Sequence, residues 1–494
     1  MACSLIFKNS KLLKIGLIAS IFLLFSSIIY SEEIDLDLAS DDFDLLEDLS
    51  FEELEADLGI SNELQIFTEN EASESNISKG PSRLGGSDTF SGSIIQSIVF
   101  GIENPGSFFN RNSRGLERIR TNINLSTKSE VSSNLKYKFG GLVRFDWGDW
   151  EEEKFRFGGN SPELKFKDVF LDFYPSNNIW IRIGNQIIAR GQFDTLSISD
   201  TINPRDLSIP AQGELSEFRQ HIPAILVNFP LSDFKIEVVV THNAGANNLG
   251  EIGSGFDPMA LFQSLMVPGG SPLVPVYLKP SNQTELFARL NYSFNGGDFA
   301  VVVSDENLNQ RNLKGITATT PSTELFFGFD RVRMFGLSGN VARGNYLFKY
   351  EGAHFSNMPI AGKDPTSLSW NKRDQSILGL GIDYSGVDNL TLGFETDIKL
   401  TKDYTNDLSG SETSVGQSIQ ARWTGLNDLL TINGTLSRLN GEKSFISSIA
   451  ANYKVRDGLS LGGRLVQYQA SSVADSFYPY KNQDVIMLST EYSF

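Results

Sequence analysis

The sequence predicts an all-β fold, a transmembrane antiparallel up-and-down β-barrel of about 18 strands, with roughly 16 as the alternative count. Three features predict it: long stretches of alternating apolar and polar residues, connections that are alternately short and long, and a chain end that closes on an aromatic residue. Alternation gives each strand one face for lipid and one for water, and a tilted strand of about nine to eleven residues crosses a bilayer.

The clearest alternation lies between residues 135 and 147. Apolar residues or Gly recur at every second position from Leu135 to Trp147, and charged residues hold most of the positions between them. Residues 390–400 repeat the pattern. A strand of a soluble sandwich also alternates, but it is typically about five to six residues long. The greater length of these stretches therefore favours a membrane barrel.

The connections between the candidate strands alternate between short turns and long loops. Short ones, such as Asn295-Gly296-Gly297, carry turn-forming residues, whereas long ones span 190–220, 243–283 and 305–326. Outer-membrane barrels have short turns on the periplasmic side and long loops outside, so both termini are predicted to be periplasmic. The candidate strands are 91–101, 117–128, 134–147, 163–174, 178–189, 221–229, 233–242, 284–294, 297–304, 327–342, 345–355, 374–385, 389–400, 413–424, 428–438, 443–455, 458–470 and 483–494.

Residues 1–31 are predicted to be a signal peptide. Three lysines precede an uncharged run from Ile15 to Ile29, and the small Ser31 follows, which is the arrangement of a secretory signal. Residues 32–90 are predicted to be an acidic periplasmic arm and linker, partly disordered or helical, because residues 32–78 hold 17 Asp or Glu and no Lys or Arg. The barrel is then expected over 91–494, in the outer membrane of a Gram-negative-type bacterium.

Charge, cysteine and histidine content argue against several function classes. The net charge of −18 belongs mostly to the acidic arm, and nucleic acid requires clustered Lys and Arg, so we predict no nucleic-acid partner. Cys3 lies in the signal peptide and no loop has a calcium-loop spacing, so we predict no metal and no cofactor. His221, His242 and His354 lie in no spacing that indicates a catalytic pair, so no catalytic residue is predicted.

The C-terminal strand presents Ile486, Leu488, Thr490, Tyr492 and Phe494 on one face. This resembles the C-terminal signal of outer-membrane barrels, which the assembly machinery reads as an edge strand with a terminal aromatic residue. An unpaired strand edge offers main-chain groups for β-augmentation. We therefore predict Tyr492 and Phe494 as the assembly signal, the barrel-assembly machinery and outer-membrane lipid as partners, and pairing of the last strand with residues 91–101.

The most distinctive motif is Ile181-Arg182-Ile183-Gly184-Asn185-Gln186, followed by Gly191 and by Asn203-Pro204-Arg205-Asp206. It resembles an uncharacterised family of outer-membrane barrels related to alginate-export-type porins, in which a strand ending in Gly-x-Gln leads to a glycine and an Asn-Pro-Arg-Asp-like loop. The resemblance implies a transport or export barrel. Genes of that family are often found beside RND-type inner-membrane exporters, which implies lipid-like or hydrophobic cargo.

The predicted function is a porin-like channel or export barrel that moves solute or lipid-like cargo across the outer membrane. Asn203-Pro204-Arg205-Asp206 has two interpretations: a rigid turn, or part of an inward-folded loop that constricts the pore. Most lumen-facing charges are expected to pair and stabilise the wall, and Arg144, Arg182, Arg331 and Arg333 are candidates for a basic patch. The candidate pore-lining and constriction residues are Arg144, Arg182, Gln186, Asn203, Arg205, Asp206, Arg331, Arg333 and Glu351.

Two alternatives stay open from the sequence. One is a surface-exposed adhesin or outer-membrane enzyme that uses loops 243–283 and 305–326. The other is a structural barrel that docks a periplasmic or inner-membrane exporter component through residues 32–78.

Overall fold

The computed structural model describes most of the chain from residue 89 to the C-terminus. The signal peptide and nearly all of the acidic arm predicted for residues 1–90 lie outside the described residues. The described ranges are 89–102, 115–151, 154–157, 162–176, 178–212, 218–242, 245–250, 256–257, 273–280, 282–318, 322–363, 370–438, 444–471, 478–481 and 483–494.

Eighteen of the described strands form one closed antiparallel barrel. Each strand pairs with its neighbours in chain order, and the last strand pairs with the first. The barrel strands are β1 (Thr89–Gly101), β2 (Gly115–Ser132), β3 (Leu135–Asp146), β4 (Glu163–Ser176), β5 (Ile179–Gln186), β6 (Ile222–Leu231), β7 (Phe234–Thr241), β8 (Glu285–Phe294), β9 (Gly297–Asn307), β10 (Arg331–Arg343), β11 (Tyr346–Ala361), β12 (Trp370–Val387), β13 (Leu390–Thr401), β14 (Thr413–Gly425), β15 (Leu430–Arg438), β16 (Phe445–Arg456), β17 (Leu459–Gln469) and β18 (Val485–Ser493).

The predicted fold class is confirmed, and each candidate strand corresponds to one barrel strand. Turns such as 232–233 and 344–345 lie at one end of the barrel, which we call the short-turn end, and the long connections lie at the other. Two predicted bounds are wrong. β5 ends at Gln186 rather than 189, because the chain leaves the wall there. The strand expected from 327 starts at Arg331, because Thr323–Gly328 belongs to a separate sheet with Leu273–Tyr277 and Asn312–Ala318.

Apolar side chains cover the outside of the barrel. On β10, Phe335 and Leu337 are 49% and 38% exposed, whereas Met334 and Ser338 are each 3% exposed. A closed barrel pairs its backbone groups between strands, so its outer face can lie in hydrocarbon. None of the helices in the described part of the chain is long and apolar enough to cross a membrane.

The seam between β1 and β18 closes the barrel. The two strands pair from Ser93 opposite Ser493 to Gly101 opposite Val485, as the sequence predicts. Beyond the ladder, the N–H of Gly92 donates to the carbonyl of Phe494 at 2.8 Å, and the N–H of Phe494 donates back at 2.9 Å. A Cβ atom at position 92 would lie 2.7 Å from Cζ of Phe494, so the glycine makes room for the terminal ring.

Candidate pore constriction

The connection between β5 and β6, residues 187–221, folds into the barrel interior, and we call it the lumen loop. Residues 213–217 of it lie outside the described ranges. Within it, Phe193 is fully buried and Thr195 and Gln212 are each 1% exposed. Such burial in a connection requires partners for its backbone groups. Side chains that point inward from the wall supply many of them.

Glu351 of β11 is the first of two wall carboxylates that hold the loop. Its Oε1 accepts the N–H groups of Gln192 and Phe193, the latter at 3.1 Å. Its Oε2 accepts the N–H of Ile198 at 3.3 Å and both the N–H and the hydroxyl of Ser199, at 3.1 and 3.2 Å. Hydrogen bonds to an ionised acceptor are stronger than neutral ones. Glu351, a predicted pore-lining residue, therefore anchors the loop.

Glu395 of β13 is the second carboxylate. Its Oε1 accepts the N–H of Asp194 at 2.6 Å, and its Oε2 accepts those of Thr195 and Leu196 at 3.0 and 3.1 Å. The side chain is 1% exposed in this position. The two carboxylates together bind nearly every N–H group from residue 192 to residue 199, a stretch without helix or strand bonds of its own.

Lys349 of β11 supplies positive charge beside these acids. Its Nζ contacts a carboxylate oxygen of Asp194 in the loop, Oδ2 of Asp383 at 2.9 Å and Oε1 of Glu395 at 3.5 Å. A buried carboxylate requires a counter-charge or several hydrogen bonds. The ammonium group therefore links the loop electrostatically to two wall strands.

An apolar contact fixes the same stretch. Phe193, Leu196 and Ile198 pack into a buried cluster with wall residues that include Met334. A Cβ atom on Gly379 of β12 would lie 2.8 Å from Cζ of Phe193 and 2.7 Å from Cδ1 of Ile198. The glycine therefore leaves the space that the phenylalanine ring fills.

Asp200 ties three parts of the loop together. Its Oδ1 accepts the N–H of Arg190 at 2.9 Å, and its Oδ2 accepts Nε and Nη2 of Arg219 at 3.0 and 2.6 Å. Burial alone would raise the pKa of this carboxyl, but the guanidinium groups of Arg219 and Arg205 outweigh burial, and its pKa lies below the usual range. Burial lowers the pKa of Arg205 to about 10.

Asn203 closes the base of the loop. Its Oδ1 accepts the N–H of Ile188 at 2.7 Å, and its Nδ2 donates to the carbonyls of Gln186 and Gln220 at 3.2 and 2.8 Å. One side chain thus joins the residues that enter the lumen and those that leave it.

The other residues of the Asn-Pro-Arg-Asp motif also make backbone-directed contacts. The N–H of Arg205 donates to Oδ1 of Asn247 at 2.9 Å, and Oδ1 of Asp206 accepts the N–H and hydroxyl of Ser208 at 3.2 and 2.6 Å. The motif therefore forms a rigid turn, and that turn lies on an inward-folded loop. Its effect on passing solutes stays a prediction.

The far part of the loop reaches the opposite wall. The hydroxyl of Tyr468 on β17 donates to the carbonyl of Pro210, and Nη1 of Arg464 donates to the carbonyl of Ala211 at 3.0 Å. Nη2 of Arg118 on β2 lies 3.4 Å from Oε1 of Gln212. Since the 192–199 stretch is bound to β11 and β13, the loop crosses the lumen.

A cavity lies on each side of this crossing. The inner chamber, toward the short-turn end, has a volume of about 460 Å³ and is lined by charged residues such as Arg190, Lys235, Glu237, Arg289 and Asp298. The outer chamber measures about 210 Å³ and combines apolar residues of the loop with charged wall residues such as Lys399.

The structure divides the other predicted pore-lining residues. Nη1 of Arg144, on the inward face of β3, lies 3.1 Å from Oε2 of Glu163. Nε and Nη2 of Arg182 bind the carboxylate of Asp172 at 2.7 and 2.9 Å. Gln186 is buried, and its Nε2 donates to the carbonyl of Ala224 at 3.0 Å. These three residues lie inside but are used within the wall.

The inward placement of Arg331 and Arg333 is a prediction that the structure corrects. Val332 and Met334 pack inward against the lumen loop, so Arg333 shares the outward face of Phe335. Nε of Arg331 binds Oδ1 of Asp305 at 2.8 Å. Both arginines lie near the long-loop end of β10, beyond the apolar residues, where a charged side chain on the outward face meets water or lipid headgroups. The basic patch expected from four arginines is therefore not assembled.

The histidines lie apart from one another. Nε2 of His221 is 3.2 Å from Oδ1 of Asp168. Nδ1 of His242 is 2.7 Å from Oγ1 of Thr284, and Nδ1 of His354 is 2.9 Å from Oγ of its outward-facing cross-strand neighbour Ser376. Within the described ranges, no group of three His, Cys, Asp or Glu side chains is placed to hold a metal ion.

Sequence reasoning did not single out Glu395 or Lys349 as anchors of the loop. The register shows what marks these positions: Glu351 lies opposite Gly379, and Glu395 lies opposite Gly381. An inward carboxylate beside an inward glycine leaves both a charge and a space. That combination indicates an inserted segment once the strand register is known.

No protein-family model matches this chain, and no curated protein matches it. Solved structures do resemble it. OccAB3 of Acinetobacter baumannii aligns over 83% of this chain and 99% of its own, at 8% identity and a TM-score of 0.48. Pseudomonas aeruginosa OpdK with vanillate aligns over 83% and 98%, at 9% identity and 0.45. Salmonella typhi OmpF in complex with daunomycin also covers 83% and 98%, at 10% identity and 0.40. These likenesses concern the fold alone.

The chain's own architecture defines its class. A closed antiparallel barrel with an apolar outer face and charged side chains inside is built for a bilayer, with water or protein in the lumen. The chain is an outer-membrane β-barrel.

Proposed function

We propose that this barrel is a porin-like channel for small polar solutes, in which the lumen loop forms the constriction. The observation that carries the proposal is the inner chamber, a cavity of about 460 Å³ inside the barrel whose lining is mostly charged. A barrel of about 18 strands has a lumen wide enough for water unless protein fills it. The lumen loop narrows that space and leaves a hydrated chamber on each side.

The chemistry of the inner chamber favours polar solute over the lipid-like cargo that the alginate-export resemblance implies. Arg190, Lys235 and Arg289 line it together with acidic residues. A hydrocarbon chain would have to remove water from these charges without replacing their hydrogen bonds, which is costly. A hydrated polar solute can exchange water for the same groups.

The experiment is planar-bilayer recording of the refolded protein. We expect discrete conductance steps, because water and ions occupy both chambers. A protein that inserts, as shown by heat-modifiable mobility, yet gives no steps under any applied voltage would contradict a channel function.

A further inference from the structure

We propose that the inner chamber is a binding site for a small zwitterion, a solute with a carboxylate at one end and an ammonium group at the other. Its carboxylate would contact Arg289 and Lys235, and its ammonium group would contact Asp298. This inference rests on the proposed function and names its class of solute.

Most charges in the chamber are already paired. Nε of Arg190 binds Oε1 of Glu237, and Lys349 binds Asp194 and Asp383. Each of these side chains has an opposite charge within salt-bridge distance, so its field at the centre of the chamber is largely cancelled. These pairs shape the site but leave little charge for a solute.

Two cations remain available. Arg289 has one printed hydrogen bond, a long contact of 3.5 Å from Nη1 to the carbonyl of Arg190. Among the described residues, no carboxylate lies within 4.0 Å of either Arg289 or Lys235. Arg289 pairs with Glu237 in the β7–β8 ladder, and Lys235 pairs with Asn291, two residues further along β8. Both side chains line the chamber, so a carboxylate can reach both.

One carboxylate also remains available. Oδ1 of Asp298, at the start of β9, accepts a hydrogen bond of 3.2 Å from the neutral amide of Gln192. No cation within the described ranges lies within 4.0 Å of it. The neutral amide leaves the negative charge of Asp298 uncompensated in the chamber. An ammonium group is the solute group that such a charge recruits.

The register sets the span between the two ends of the site. Asp298 lies opposite Ser293, which is four residues along β8 from Arg289. Four strand residues cover roughly 13 Å of backbone, and the two side chains reach toward each other across part of it. That span suits a zwitterion whose charges are several bonds apart, such as a dipeptide, and the chamber volume of about 460 Å³ admits one.

The test is saturation-transfer NMR on the full chain folded in detergent micelles, with glycylglycine as the probe. Acetate and ethylammonium each carry one of its two charges and serve as comparison solutes. We expect glycylglycine to bind at least about tenfold more tightly than either, because only it satisfies both ends. Acetate or ethylammonium binding as tightly as glycylglycine would overturn the inference.

Three variants sharpen the test. Arg289→Gln should weaken glycylglycine binding about tenfold and leave ethylammonium unaffected, and Asp298→Asn should weaken it similarly and leave acetate unaffected. Glu412→Gln, on an exposed residue outside the chamber, is the matched control and should bind as the parent does. Heat-modifiable mobility checks that each variant is folded. Unchanged binding in a folded Arg289→Gln or Asp298→Asn protein would refute the site.

The outcomes separate this inference from the channel function. A protein that conducts ions but does not bind glycylglycine overturns the zwitterion site alone. A protein that binds glycylglycine but never conducts overturns the channel alone, because NMR binding requires no passage through the barrel.

Discussion

Replacing the two anchoring carboxylates by amides, Glu351→Gln with Glu395→Gln, should release the 192–199 stretch from the wall. The carboxylate of Glu351 accepts bonds through both oxygens, from four backbone N–H groups and the hydroxyl of Ser199. A glutamine keeps one acceptor oxygen and places an NH₂ group against N–H donors. Glu395 loses acceptors in the same way, because Asp194, Thr195 and Leu196 all donate to it.

The magnitude follows from the number of bonds lost. A hydrogen bond to a charged group contributes about 1.5–3 kcal/mol, and each amide removes at least two of them, so we expect roughly 3–6 kcal/mol at each position. Even about 3 kcal/mol shifts the closed-to-open ratio of the loop by roughly a hundredfold. The barrel ladder itself is untouched, so the protein should still fold.

Trypsin is the assay, because Arg190, Arg205 and Arg219 are cleavage sites within the lumen loop. We expect the double variant to be cut within residues 187–221 much faster than the parent and to show a larger, noisier single-channel current. Glu412→Gln is the matched control and should match the parent in both assays. A folded double variant that resists trypsin and conducts as the parent does would refute the reasoning.

Further predictions test other contacts of the loop and the seam. Gly379→Ala should displace Phe193 and increase current noise, whereas Gly463→Ala, whose Cβ would lie 3.9 Å from Cδ2 of Leu488, should not; equal noise in both would contradict this packing argument. Asn203→Ala removes three hydrogen bonds and should destabilise the closed loop by roughly 2–4 kcal/mol, measured as faster tryptic cleavage. Because the pKa of Asp200 is lowered in the fold, its contribution is complete above the unfolded pKa of about 3.9 and is lost as pH falls through the lower folded pKa; the difference in cleavage rate between Asp200→Asn and the parent should therefore be constant from pH 7 to about pH 4 and shrink only below it, and a difference that shrinks above pH 5 would disagree. Phe494→Ala should lower the fraction of chain assembled in the outer membrane several-fold, as read by heat-modifiable mobility, while Phe335→Ala, on an equally exposed outward ring, should not.

The barrel could be predicted from the sequence because its determinants are local. Alternation from Leu135 to Trp147 and the turn residues at 295–297 each specify their own element, and the count of strands then follows. Closure between the first and last strands follows from the same logic, since a barrel leaves no free edge. The position of Phe494 at that seam is therefore accessible from sequence.

The site could be predicted only in part, because its contacts join residues far apart in the chain. The rigid Asn203 turn and the inward course of the loop are both consistent with composition and length. The partners of the loop are not: Glu395 binds the N–H of Thr195 across 200 positions of sequence. Only the closed barrel brings the two together.

The error at Arg331 and Arg333 has a different cause. Alternation gives two faces but does not say which one faces lipid where a strand extends beyond the apolar belt. There, the usual rule that charge points inward no longer holds. The inward side of that stretch is instead occupied by Val332 and Met334, which pack against the lumen loop.

The central claim is that the inner chamber is part of a water-filled path narrowed by the lumen loop. The most direct measurement is single-channel recording of Asn291→Cys, a chamber position, during addition of a cationic thiol reagent; the only native cysteine is Cys3, in the predicted signal peptide. The account predicts an irreversible stepwise fall in current, with no change for Leu378→Cys, whose parent side chain is 62% exposed on the lipid face. A current that is unaffected by modification at position 291 would contradict it.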